Sequence, residues 1–403
     1  MRLPALLIPI TIVFCFVLTA CNKSKSVGVT AKAEKIEVQY IQEIKLSALI
    51  DSIHSYVPLQ TDETPLIGRI DKIIAADSAY FILDKRFYKG VLKFNKQGLF
   101  LNTIGSFGEG NGEYGSPMEI VLNKNMIEVF DGSNFSVLQF GKNGQFKEEL
   151  RIPYWVNEAF QFSETEKIIY CPTDYSPDGE IDVGVVSIVS NDFEHVKKTF
   201  FPYEEVLDDA PFSGLLSYYS GAFTYVKTAL GEFYTVNKKG DCNLRFVVDF
   251  GKYRWPIDKE TMKSDQEKTE EMFFNGGIMS IAHRLCESGN YLTFHTLMID
   301  EKNAPSKIND DRDRWLCIVD KSANKLYAIK TIINDIDGLP FAFPISTDGE
   351  YFLSVLSSEL FKDGAIPETS KQYPKTSNTL AALNKVSNPV LVKFKFRIPL
   401  LIN

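Results

Sequence analysis

The sequence predicts an all-β repeat protein: a six-bladed β-propeller of four-stranded antiparallel blades with a short helical insertion. Three observations predict it. Aromatic residues make up 13% of the 403 residues, with 30 Phe and 18 Tyr, and such side chains pack well on pleated surfaces. From Ile36 onward the chain runs as short apolar stretches broken by Gly, Asp and Asn, the spacing of many short strands. One pattern also repeats: Val91-Leu92-Lys93-Phe94-Asn95-Lys96-Gln97-Gly98-Leu99-Phe100 matches Val137-Leu138-Gln139-Phe140-Gly141-Lys142-Asn143-Gly144-Gln145-Phe146, with Phe94 and Phe140 46 residues apart. A period in the forties carrying about four strands marks a propeller blade.

Within each copy, apolar and polar residues alternate up to a Gly turn, where Gly98 and Gly144 suit a positive φ. Upstream of each lies another strand ending in aspartate, Tyr80–Asp84 and Ile127–Asp131. The unit is therefore strand, Asp loop, strand, Gly turn, strand. Later copies are degenerate: Val183–Val189, Glu232–Val236 and Leu244–Phe250, then Tyr291–Ile299, Trp315–Asp320 and Tyr351–Leu356. Val390–Phe396 is the closing strand, and the strand near Val57-Pro58-Leu59 completes its blade. Residues 50–396 hold seven or eight units of roughly 45 to 50 residues. Setting aside a charged helical insertion at Ile257–Phe274 and a Pro- and Ser-bearing loop at Lys362–Lys385 leaves six, with seven as the runner-up.

The N-terminus has a different character. Met1-Arg2 is followed by an uncharged run from Leu3 to Ala20, the signature of an export signal. Pro4 and Pro9 interrupt it, and polar Asn22-Lys23-Ser24 follows at once, so a spanning helix is disfavoured. Leu18-Thr19-Ala20-Cys21 resembles the lipobox of bacterial lipoproteins. That resemblance implies cleavage before Cys21, acylation of its thiol, and membrane attachment through several acyl chains. Residues 1–20 then form the signal peptide, 21–35 a tether, and 36–403 the propeller. Asn22 in place of Asp, with no acidic cluster after Cys21, implies an outer-membrane lipoprotein facing the periplasm.

The formal charge of −8 without a Lys/Arg patch argues against nucleic acid. Cys171, Cys242, Cys286 and Cys317 are widely spaced, lack a Cys-x-x-Cys pair, and read as buried small apolar residues. Gly105–Gly112 is glycine-rich but precedes Glu113-Tyr114-Gly115 rather than Gly-Lys-Ser/Thr, so it reads as an inter-blade loop, not a phosphate cradle. The four histidines form no metal-ligand spacing. Asp84, Asp131 and Asp192 stand where a turn aspartate bonds local backbone. Asp310-Asp311-Arg312-Asp313-Arg314 reads as a solvated loop before Trp315.

The chain resembles the six-bladed β-propeller lipoproteins of Gram-negative bacteria, distant relatives of NHL-repeat propellers. The resemblance is carried by Ile67–Ile73, by Ile104–Tyr114, by Asn388–Phe394 and by the lipobox, and it spans nearly the whole mature chain. It implies a fold more than an activity. The function expected is a lipid-anchored, non-catalytic cell-envelope module binding a glycan, peptide or protein, without a cofactor. The alternative is a metal-dependent propeller hydrolase or lyase acting in the central channel. A ligand would enter the funnel where inner strands and their loops meet that channel. The residues expected there are Arg69, Glu113, Tyr114, Trp155, Tyr218, Tyr219, Phe341 and Phe343. Arg69 would pair with an anionic ligand or with Glu113, and the rings would stack on sugar or grip peptide.

Overall fold

The computed structural model describes residues 34–62, 65–124, 126–173, 183–201, 215–228, 230–254, 267–268, 271, 278–299, 314–364 and 379–398. The signal peptide, Cys21 and most of the tether lie outside the described residues. Among the described residues no helix is long and apolar enough to cross a membrane.

The protein is all-β. Two strands come first, β1 (Glu34–Lys45) and β2 (Ile50–Pro58). Sheet I holds β3 (Lys72–Ala75), β4 (Ala79–Asp84), β5 (Gly90–Asn95) and β6 (Phe100–Ile104). A two-stranded parallel ladder, β7 (Ser106–Phe107) and β8 (Glu113–Tyr114), fills the glycine-rich connection. Sheet II follows with β9 (Pro117–Leu122), β10 (Met126–Asp131), β11 (Ser136–Gly141) and β12 (Phe146–Arg151). Sheet III comprises β13 (Glu158–Gln161), β14 (Glu166–Tyr170), β15 (Val186–Ser190) and β16 (Val196–Phe200). β17 (Leu215–Tyr219), β18 (Ala222–Lys227), β19 (Glu232–Val236) and β20 (Cys242–Asp249) form sheet IV. Sheet V contains β21 (Ile278–Glu287), β22 (Tyr291–Ile299), β23 (Arg314–Asp320) and β24 (Lys325–Ile333). In sheet VI, β25 (Ser346–Thr347), β26 (Phe352–Leu356) and β27 (Val390–Phe396) are completed by β2, which pairs antiparallel with β27 from Ile50↔Phe396 to Pro58↔Val390.

The middle strands explain the packing. β4 is buried at every position, because its two faces serve different cores. Tyr80 and Ile82 join an apolar cluster with Leu353 and Leu391 of sheet VI. Ala79, Phe81 and Leu83 join another with Ile120, Val129 and Phe140 of sheet II. The side-chain period of two sends alternate residues to opposite faces. In β23 the same alternation sends Leu316 and Ile318 toward sheet VI, and Trp315, Cys317 and Val319 toward sheet IV. Among the described residues six apolar clusters result, each made by two successive sheets, with the last sheet sharing one with the first. The outer strand of sheet II is polar by contrast: β12 exposes Lys147, Glu148, Glu149 and Arg151 along its edge, charges that oppose pairing with another chain.

The repeated segments form equivalent hairpins in sheets I and II, with Gly98 and Gly144 at φ +86° and +85° in their turns. The four cysteines are free and buried. Within Ile257–Phe274, Glu267, Lys268 and Glu271 are helical and exposed, and the other residues lie outside the described set. Within Lys362–Lys385, a 3-10 turn ends at Gly364, Thr379 and Leu380 are helical, and residues 365–378 lie outside it. One arrangement has no counterpart in the sequence reading. β1 runs parallel to β20 over Glu34–Glu37 and then parallel to β24 over Val38–Lys45, so it joins sheets IV and V into one nine-stranded sheet where the sequence predicts two separate four-stranded blades.

Candidate functional site: the central cavity

The first strands β3, β9, β13, β17, β21 and β25 of the six sheets, with their adjoining loops, line a single cavity of about 570 Å³. Its charged residues fall on two flanks. On one, Lys72 Nζ lies 2.5 Å from Glu119 Oε1, and Glu158 Oε2 accepts the Leu216 N–H at 2.8 Å, with Lys85 nearby. Burial and the neighbouring Glu119 carboxylate push the Glu158 carboxyl up to about 7, against the opposing pull of Lys72, the Leu216 N–H and Lys85. Burial also pushes the Lys85 ammonium down, against Glu119 and Asp71.

The other flank carries arginines. Arg69 Nε contacts Asp71 Oδ1 at 3.0 Å, and Arg284 Nη1 donates to the Asp71 carbonyl at 2.6 Å. Arg314, the first residue of β23, also lines the cavity. Burial pushes the Arg284 pKa down, and Arg69 and Arg314 add to that shift. Among the described residues the cavity presents five cationic side chains and three carboxylates, in a chain whose formal charge is −8.

Local sequence positions Arg69. Asp84 is fully buried, and its Oδ2 accepts the N–H groups of Gly68 and Arg69 at 2.9 and 3.1 Å. Its Oδ1 accepts those of Arg86 and Phe87 at 3.0 and 2.8 Å. Asp131 does the same in sheet II, with Gly115 and Ser116 at 2.9 and 2.8 Å and Ser133 at 3.0 Å. Burial opposes ionisation of Asp131, but the hydrogen bonds from Gly115, Ser133 and Ser116 outweigh it and hold its carboxyl below the usual range. These aspartates bond turn backbone, as the sequence suggests, and also clamp the chain that enters the first strand. Asp192 accepts the Ser190 hydroxyl and the Glu194 N–H in an exposed turn.

Of the eight residues expected at the funnel, Arg69 and Tyr218 line the cavity. Arg69 pairs with Asp71 rather than Glu113. Glu113 instead turns into its own loop, where Oε2 accepts the Gly110 N–H at 2.8 Å. Tyr114 is fully buried between sheets I and II, its hydroxyl donating to Ile104 O and accepting from Val91 N–H. Trp155 packs edge-on against Phe135. Tyr219 lies under Lys321 Nζ at 4.7 Å. Phe341 packs on Phe394, and Phe343 on the His295 ring. Sequence reasoning missed Lys72, Lys85, Glu119, Glu158 and Arg284. It also placed Arg314 in a solvated loop, whereas the strand begins at that residue and carries it to the cavity.

Because the folded Glu158 carboxyl holds its proton above the ordinary 4.5, the native state binds a proton that the unfolded chain releases. Its contribution to stability therefore falls as pH rises from about 4.5 toward 7. Glu158→Gln is expected to remove this slope. Urea midpoints of the two proteins between pH 5 and 8 check it, and parallel profiles would contradict the shifted carboxyl.

The fold and site define an all-β repeat protein whose successive sheets each contribute a strand to a charged cavity. The chain belongs to the family described as domain of unknown function DUF4934, which matches residues 29–395. A candidate exported protein of Bacteroides fragilis NCTC 9343 is similar in structure, with a TM-score of 0.71 and 17% identity over 90% of this chain and 99% of that one. A DUF4221 family member from Bacteroides vulgatus ATCC 8482 is more distant, with a TM-score of 0.53 and 9% identity over 87% and 98% of the two chains. Such identities establish the shared fold alone. Neither the family nor these neighbours is described as an NHL-repeat protein. No curated protein matches the chain.

Proposed function

We propose that the protein is a lipid-anchored, non-catalytic binding module of the cell envelope, folded as a closed six-bladed β-propeller that takes its ligand in the central cavity. The observation that carries this reading is the cavity itself, lined by the first strand of every sheet. Closure is supported by the cluster joining sheets VI and I and by the β2–β27 ladder. The lipobox at Leu18–Cys21 supports the anchor, with Cys21 joining the module to the outer membrane on its periplasmic side. The exported character ascribed to the Bacteroides fragilis neighbour accords with this setting.

A cavity of about 570 Å³ falls within the size range of small-molecule sites. Tyr218 is 46% exposed beside it and offers a ring to a sugar or peptide. The metal-dependent alternative needs several ligating side chains at one point. Among the described residues no three His, Cys, Asp or Glu side chains are so grouped. Asp71, Glu119 and Glu158 each sit beside a lysine or arginine.

Screening glycans and peptides against the full chain tests the reading. Asn157→Trp, placed at the cavity wall, is expected to weaken any ligand found at least tenfold, about 1.4 kcal/mol. Leu101→Trp, exposed on β6, is expected to leave it unchanged. Binding that survives Asn157→Trp but not Leu101→Trp would move the site to the outer rim.

A further inference from the structure

Arg284 is the most unusual residue of the cavity. It lies in β21 within the second of two shifts of register, where pairing with β22 passes from Ile281↔Thr296 through His283↔His295 to Cys286↔Thr293. Its φ is +62°, a left-handed conformation uncommon for any residue but glycine, asparagine or aspartate. Strand irregularities of this kind re-aim side chains, and backbone strain of this kind gathers at functional positions. Here the irregularity delivers a guanidinium to the cavity wall. Arg284 makes no ion pair among the described residues, and its charge is met there by the Asp71 carbonyl. Asp71 itself is already engaged by Arg69. On the opposite flank, the Lys72–Glu119 pair is internally balanced.

A half-buried cation without a counter-ion is costly, and a bound anion removes that cost. The planar guanidinium fork matches the two oxygens of a carboxylate or sulfate. The remaining cavity volume exceeds what an inorganic ion needs, and Tyr218 and Asn157 border it with an aromatic face and an amide. We propose that the cavity takes a small organic anion of acidic-sugar type, its carboxylate or sulfate gripped by Arg284 with Arg69 and Arg314 around it. This inference rests on the cavity being the binding site and names the chemistry of its ligand.

Calorimetric titration of the full chain in detergent tests it, with galacturonate, galactose 6-sulfate, galactose and inorganic sulfate as probes. One or both acidic sugars are expected to bind at least tenfold tighter than galactose and than inorganic sulfate; which of the two is tighter distinguishes carboxylate from sulfate. Arg284→Gln and Arg69→Gln are each expected to lower that affinity tenfold or more, with Arg284→Lys in between. Arg69 is 47% exposed along its side chain, so its variant keeps the test open if Arg284 variants unfold. Affinity for the acid is also expected to fall between 50 and 500 mM salt, with galactose unaffected. Failure of every acidic probe to bind, or acid binding indifferent to both arginine substitutions, overturns the inference. Equal binding of galactose and galacturonate, both lost in Asn157→Trp, sinks the anion assignment and leaves the cavity reading standing. Acid binding that persists in Asn157→Trp sinks the cavity reading itself.

Discussion

A chain that begins at Leu59, lacking β1 and β2, is expected to lose cooperative folding. β2 supplies the fourth strand of sheet VI. With its approach it also buries Leu46, Leu49 and Ile50 completely and Val57 nearly so, while β1 buries Ile36 between sheets IV and V. A buried aliphatic side chain of this size contributes about 1.5 to 3 kcal/mol. Five of them contribute on the order of 10 kcal/mol, as much as the net stability of a typical domain. The free edge of β27 left behind would be an apolar strand with unpaired backbone, open to association. Thermal melts followed by near-ultraviolet circular dichroism check this. A sharp transition within about 5 °C of the full chain would show that the remaining sheets hold without their N-terminal strands.

Lys167→Met is expected to cost about 3 to 5 kcal/mol, because it strands a carboxylate in the interior. Lys167 in β14 and Glu128 in β10 are both essentially without solvent contact, and their Nζ–Oε1 separation is 3.1 Å. Gln139 Nε2 donates to the same Glu128 oxygen at 3.2 Å, and Lys167 Nζ also reaches Asn191 Oδ1 at 3.0 Å. Burial pushes the Glu128 carboxyl up even with Lys167 beside it. Without that cation the folded carboxyl rises further. The variant then loses stability as pH climbs from the ordinary glutamate range toward the folded value, so its deficit is larger at pH 8 than at pH 5. The double variant Glu128→Leu/Lys167→Met is expected to recover most of the loss, since an apolar pair of similar volume avoids the desolvation. Urea unfolding of the two single variants and the double variant measures the coupling. A single-variant cost below 1 kcal/mol would mean that water or a rearranged neighbour replaces the lysine.

What the sequence made legible follows from periodicity. Tyr80–Asp84 is apolar at every position before the aspartate, and Ile127–Asp131 at every such position but Glu128, as suits strands sandwiched between two cores. The Gly98 and Gly144 turns and the recurring Asp84 and Asp131 were readable for the same reason, being local. The pairing of β2 with β27 was readable because a terminal apolar strand needs a partner. β1 was not, since its mixed pattern of buried Ile36 and exposed Glu34, Lys35 and Glu37 gives no sign of parallel addition to two sheets. The aromatic residues expected at the funnel mostly went elsewhere because large rings suit the spaces between sheets, as Tyr114 and Phe341 illustrate. Arg284 had one faint signal, a charged residue within the mostly apolar Ile278–Cys286. Its meaning depends on a shift of register that no local pattern encodes.

β1 also has a mechanical consequence. It is held by four partners in β20 and seven in β24, in two ladders laid end to end along one strand. A force drawing on Glu34 along the strand axis is shared by both ladders at once and must shear them together, where a force across the strand would break one pair after another. Residues before Glu34 are the route by which any pull from the N-terminal side enters the body. The strand therefore spreads that load over β20 and β24 before it reaches the β2–β27 ladder.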